Sequence, residues 1–164
     1  MKHLLKITAF ICCLLAPTYD VNAQRKKNDY SEKNTSIFPR GQRVPANNFT
    51  GKAWVQQLIL PDSAFNIPVG NVTFEAGART YWHSHPGGQA LLALDGVGYY
   101  QEKGKEIQVL RKGDTIKCPP NTPHWHGASP ETGFTQIAIT PNTSSGRVNW
   151  LQPVTDQEYS SFRK

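Results

Sequence analysis

Gly77-Ala78-Arg79-Thr80-Tyr81-Trp82-His83-Ser84-His85-Pro86-Gly87-Gly88-Gln89, closed by Gly96, is the stretch whose reading decides the fold. Side chains alternate along an extended chain, so His83 and His85 point to one side. Pro86-Gly87-Gly88 then turns the chain, which can bring Gln89 back to the same end of a sheet. A second group, Gly113-x5-Pro119-x4-His124-x-His126, repeats the pattern further on, and four of the five histidines lie in these two groups. Three imidazoles and an amide oxygen from His83, His85, Gln89 and His124 suit a divalent first-row metal: manganese, iron, nickel or zinc. A lone His-x-His is often only a surface or packed pair; two of them, each framed by glycine at these intervals, argue for a site.

The flanking sequence reads as short strands joined by turns. Candidates are Ala53–Leu60, Val69–Glu75, Arg79–His85, Gln89–Leu94, Gly98–Glu102, Glu106–Leu110, Asp114–Cys118, His124–Ala128 and Phe134–Thr140. In Val69–Glu75, Val72 and Phe74 share a face with Gly70. Asp95-Gly96 reads as a hairpin turn and Lys103-Gly104 as another. About eight or nine strands in roughly one hundred residues predict an all-β, single-domain jelly-roll barrel over residues 46–147. A tail, residues 148–164, carries one short helix at Thr155–Phe162, capped by Thr155 with Glu158 three residues on. The 13 glycines and 12 prolines agree with a turn-rich β plan.

Residues 1–23 have the layout of a cleavable secretory signal. Lys2 and Lys6 precede an apolar run from Ile7 to Ala16, and Val21-Asn22-Ala23 offers small residues before Gln24. The run is too short for a membrane span. Cys12 and Cys13 lie inside it, behind bulky Phe10 and Ile11, which argues against lipid attachment. Cleavage after Ala23 leaves Cys118 as a lone, packed cysteine without a disulfide, in a periplasmic or secreted protein. Residues 24–45 are polar, without apolar period, and read as a flexible arm. Much of the formal charge of +6 sits near this end, and no basic stripe with interleaved aromatics follows. Nucleic acid is excluded as a partner on that ground.

The two histidine groups resemble the paired motifs of the cupin superfamily, with Gln89 at the position where glutamate is usual, Asn121 in place of a glycine and Ala128 in place of an asparagine. A narrower resemblance runs from about Phe49 to Tyr159. Phe74-Glu75-x-Gly77-Ala78-Arg79-Thr80-x-Trp82-His83-x-His85-Pro86-x-Gly88-Gln89, Pro123-His124-Trp125-His126-Gly127-Ala128 and Trp150…Val154-Thr155-Asp156-x-x-Tyr159 are similar to the bacterial manganese-dependent hydroxynitrile lyase-like cupins. The resemblance implies a small β-barrel with Mn(II) inside, held by His83, His85, Gln89 and His124, and His126 as a further histidine of the pocket. It also implies a homodimer or homotetramer. Members commonly carry another histidine in the strand after the second motif; that position here is Gln136.

Gln89 has a consequence independent of any relative. Four neutral ligands leave the full charge of a dication on the site, making it a stronger Lewis acid than a glutamate-bearing one. Gln89 cannot act as a carboxylate base, so His126 becomes the candidate for proton transfer. Trp82 and Trp125 alternate with histidines and should pack outside the barrel or beneath a subunit contact; Arg79 reads as structural or interfacial. The expected function is that of a metal-dependent enzyme acting on a small oxygenated molecule, in the manner of a hydroxynitrile lyase that cleaves a cyanohydrin to a carbonyl compound and cyanide. The alternatives are a cupin dioxygenase or a non-catalytic binding cupin. Pocket space separates them: room beside the metal favours catalysis, and filling by Val72 and Phe74 favours binding alone.

Overall fold

The computed structural model describes residues 36–162. In chain order the strands are β1 (Gln42–Arg43), β2 (Phe49–Thr50), β3 (Ala53–Ile59), β4 (Val69–Phe74), β5 (Arg79–Thr80), β6 (His83–Ser84), β7 (Gln89–Glu102), β8 (Gln108–Arg111), β9 (Thr115–Cys118), β10 (His124–Ala128), β11 (Phe134–Ile139) and β12 (Asn149–Trp150), followed by one helical turn, α1 (Asp156–Tyr159). All strand pairings are antiparallel, and the central order β1-β3-β4-β11-β7-β10-β5-β2 forms a curled, barrel-like sheet. The proposed secretory signal and residues 24–35 of the arm lie outside the described residues. Within them, no helix is long and apolar enough to cross a membrane.

The curl depends on β7. Asp95-Gly96, read as a hairpin from sequence, does not reverse the chain: β7 runs through it for 14 residues. Its first part pairs with β9 and β11, and its second with β8 and β10. Opposite it, Thr135 pairs with Asp95 but Gln136 pairs with Ala93, so Leu94 is an extra residue in a bulge. Gly96 takes a left-handed φ of 77° beside it. A bulge can use a glycine of positive φ, as a two-residue hairpin of the favoured types does, and Asp-Gly supplies one for either. Here the bulge bends one strand across both halves of the barrel, and the chain reverses only at Lys103-Gly104.

Alternation along β4 turns Val72 and Phe74 inward, where they pack with Ala53, Leu91, Tyr100 and Phe134. A second apolar cluster lies on the outer face: Trp82, Tyr99, Ile107 and Trp125 covered by Val154 and Tyr159. The tryptophans are therefore buried by the chain's own C-terminal segment and not held in reserve for a subunit contact. Arg79 secures that segment. Its guanidinium donates to the Asp156 carboxylate at 2.6 Å and to the Val154 carbonyl at 3.1 Å, and lies 4.3 Å from the Tyr159 ring centre. Its role is structural. α1 begins with a reciprocal capping box between Thr155 and Glu158.

Three further differences from the sequence reading have local causes. The arm assigned to residues 24–45 is not free at its end, because Gln42 and Arg43 pair with Val55 and Trp54, and Arg40 lies over the Trp54 ring. Arg79–His85 is two short strands, β5 and β6, pairing with successive parts of β10. The tail contributes β12, which pairs with β6 and places Trp150 opposite His83.

The bulge predicts unequal costs for two glycine substitutions. At Gly104 a Cβ meets nothing within 4 Å, whereas at Gly96 it would fall 2.0 Å from the Gly133 carbonyl oxygen. Gly104→Ala should cost only backbone strain of roughly 1 kcal/mol. Gly96→Ala should cost about 3 kcal/mol, since steric displacement of backbone is added. Urea unfolding midpoints measure the difference, and equal costs would contradict the bulge.

Candidate metal centre

β6 and β10 run antiparallel with His83 directly opposite His124. His85 follows β6, and the Pro86–Gly88 turn closes with the Gly88 amide donating to the His85 carbonyl at 3.0 Å. Gln89 then opens β7. The imidazole nitrogens of His83, His85 and His124 available to a metal lie within 4.8 Å of one another, and all three residues are buried.

Backbone carbonyls set the protonation pattern of these rings. His83 Nδ1 donates to the Tyr81 carbonyl at 2.9 Å, His124 Nδ1 to the Thr122 carbonyl at 2.9 Å, and His85 Nδ1 to the Arg147 carbonyl. A carbonyl only accepts, so each ring carries its proton on Nδ1 and keeps the Nε2 lone pair. His85 Nε2 is buried without a hydrogen-bond partner. The Gln89 amide oxygen lies 3.0 Å from His124 Nε2, one acceptor facing another. Buried acceptors directed at each other repel unless an electron-pair acceptor lies between them. Three such nitrogens and one amide oxygen fit a divalent cation and bring no net charge to it. Cys118 Sγ approaches His124 from the Nδ1 side, at 3.2 Å, and stands apart from this donor group.

Burial, reinforced by neighbouring imidazoles, holds His83 and His126 well below the usual histidine range. Burial likewise lowers His85, and pushes His124 down to about 4. All four rings are therefore neutral at neutral pH, the form that binds metal.

His126 is brought to the same cavity but faces different partners. Its ring centre is 5.2 Å from that of His83 and 5.8 Å from the edge-on Phe74 ring. The Gln136 side-chain amide donates to His126 Nδ1 at 2.8 Å. Nδ1 thus accepts, and Nε2 carries the proton of the neutral ring. Gln136 is fully buried, one strand behind, and its influence on His126 is exerted through that bond.

A cavity of about 300 Å³ opens beside the histidines. His83, His85, Gln89, His126 and Thr80 supply polar lining, with Phe49, Val55, Val72, Val148 and Trp150 as apolar wall. Val72 borders the space without filling it, and Phe74 stands behind. The sequence motifs included Trp150 without assigning it to the site and gave Phe49 no role; the Trp150 ring lies tilted, 4.9 Å from that of His83, and Phe49 is 5.8 Å from Trp150. They also missed the carbonyls of Tyr81, Thr122 and Arg147. An acceptor that every residue possesses has no sequence signature.

Comparison with known proteins agrees with this architecture. The Cupin domain family matches residues 70–134. An (R)-mandelonitrile lyase of Granulicella tundricola is 40% identical over 116 residues, spanning 70% of this chain and 88% of that protein. The chain belongs to the (R)-mandelonitrile lyase-like cupins. The crystal structure of a cupin-like protein from Thermotoga maritima is 46% identical, covers 76% of this cupin and 94% of its own chain, and superposes with a TM-score of 0.74. An acireductone dioxygenase of Alcanivorax borkumensis is 31% identical over 81 residues, 45% of its length. The cupin described here is thus a metal-binding protein of a lyase-like enzyme group, with a divalent metal as its cofactor.

The depressed histidines predict acid sensitivity. Unfolded imidazoles take up protons as pH falls through 6.5, while the folded rings resist until lower pH, about 4 for His124. Between those limits the unfolded state binds more protons, so stability is full above about 6.5 and declines as the solution is acidified. Thermal melts of chelator-treated protein at stepped pH should show that decline, and a His124→Gln variant should show less of it. A metal-loaded sample should melt higher than the chelated one at neutral pH and lose metal on acidification.

Proposed function

We propose that this cupin is a manganese-dependent hydroxynitrile lyase-like enzyme that cleaves a small cyanohydrin to a carbonyl compound and cyanide, with His83, His85, Gln89 and His124 as metal ligands. The observation that carries the reading is a cavity walled by apolar side chains and floored by a neutral, acceptor-only donor set. Homology to a mandelonitrile lyase over most of that protein's length supports it. Manganese suits a set with a hard amide oxygen and no thiolate. When bound there, a dication with only neutral ligands supplies Lewis acidity towards a hydroxyl oxygen.

The chain's own residues do the rest. Phe49, Val72 and Trp150 exclude water and hold the organic body of the substrate. The hydroxyl proton is transferred to the departing cyanide as the carbonyl forms and the carbon–carbon electron pair leaves with it, so the carbonyl compound and hydrogen cyanide account for every atom and no protein group is left with a changed proton count. His126 was expected from sequence to accept a proton. With Nδ1 engaged by Gln136, its role in this proposal is that of donor: Nε2–H steadies negative charge developing on the departing nitrile. Gln136 is a positioning residue that keeps the proton on Nε2.

Secretion through residues 1–23, with cleavage after Ala23, belongs to the same proposal and is supported by the order of basic, apolar and small residues there. So does assembly as a homodimer or homotetramer, supported by the exposed apolar side chains of Ile59, Leu60 and Phe65.

Purified protein should contain a divalent metal by elemental analysis and release benzaldehyde from mandelonitrile. His126→Ala should lower kcat about 100-fold, in the range of a lost transition-state donor, with metal content unchanged. Gln136→Leu should also lower kcat and leave KM nearly unaltered. Metal present without turnover would remove the lyase assignment, and full metal occupancy in His83→Ala would remove the ligand assignment.

A further inference from the structure

We infer that the cavity is built to take a small carboxylate with an apolar body, selected at the rim by the charge of Arg147. This rests on the cavity being the substrate site, as proposed above, and not on cyanide being the leaving group. The charge distribution around the cavity is one-sided. Its ionisable lining consists of three histidines and Arg147; among the described residues no Asp or Glu borders it.

Six of the acidic side chains among the described residues are engaged elsewhere. Glu75 pairs with Arg40 and Lys52, Glu102 with Lys105, Glu158 with Lys103 and Asp156 with Arg79. Asp62 and Asp114 accept from backbone amides of their own turns. Arg147 forms no ion pair among the described residues, although its carbonyl anchors His85 and so fixes its position beside the donor set. A cation that lines a cavity, has no ion-pair partner among the described residues and stands next to a site that a bound dication would leave with its full charge creates a positive well. A neutral cyanohydrin uses that field only as negative charge develops on its oxygen, whereas a carboxylate carries its charge throughout. The Phe49–Trp150 pair beside Arg147 receives the carboxylate's apolar portion.

Mandelate and mandelamide test this, since they share phenyl and hydroxyl groups and differ in the charge of the third substituent. Their binding to manganese-loaded protein can be followed by calorimetry at matched metal occupancy. The wild type should prefer mandelate. Arg147→Gln should reduce the ratio of the two affinities roughly fivefold, the scale of one partly exposed charge contact, and Arg147→Lys should retain it. A fall in both variants, or in neither, overturns the inference. Mandelonitrile turnover is scored separately, so failure of the lyase reading with an Arg147-dependent preference intact leaves this inference standing.

Discussion

Three imidazole rings, each tied through Nδ1 to a main-chain carbonyl, hold their Nε2 lone pairs towards one another in the interior of the barrel. No protein donor faces His85 Nε2 or lies between His124 Nε2 and the Gln89 oxygen. The fold thus maintains a cluster of acceptors at a cost in electrostatic energy. A dication reverses the sign of that cost. The carbonyls of Tyr81, Thr122 and Arg147 are consequently as necessary to the centre as the rings they orient.

The sheet exists around this constraint in a specific sense. His83 and His124 meet because β6 and β10 are in register, and Gln89 joins them because β7 starts where the Pro86–Gly88 turn releases it. The bulge at Leu94 to Gly96 then carries β7 across to the second half of the barrel, so that one strand bears Gln89 at one end and pairs with the histidine strand β10 at the other. On the outside, Trp82 and Trp125 belong to the same local sequences as the metal-side histidines. Their burial under Val154 and Tyr159 links the C-terminal segment to the rigidity of the centre.

Much of this was legible from periodicity. Alternation assigned the faces of Val72, Phe74, His83 and His124, and turn residues separated most of the strands. The Thr155 capping box marked the helix start. Asp95-Gly96 misled, since a glycine of positive φ serves a hairpin and a bulge alike, and only the partner strand determines which forms. Trp150 and Phe49 were invisible as site residues because their place depends on pairing between distant segments. Gln136 stood out in the sequence only as the place where members commonly carry a histidine. Its amide governs which nitrogen of His126 carries the proton, an effect decided by a 2.8 Å contact across 10 residues.

The amino-acid sequence by itself determined the chemistry available: neutral donors in place of a carboxylate, an all-β plan, and a histidine pair on each of two strands. These follow from residue type and from the two-residue period of extended chain, both local properties. The tertiary structure alone decided the tautomers, the direction of the lone pairs and the one-sided charge of the cavity. Those properties arise where main-chain carbonyls, a buried amide and Arg147 from separate parts of the chain are brought within hydrogen-bonding or Coulombic reach, and no local pattern records such proximity.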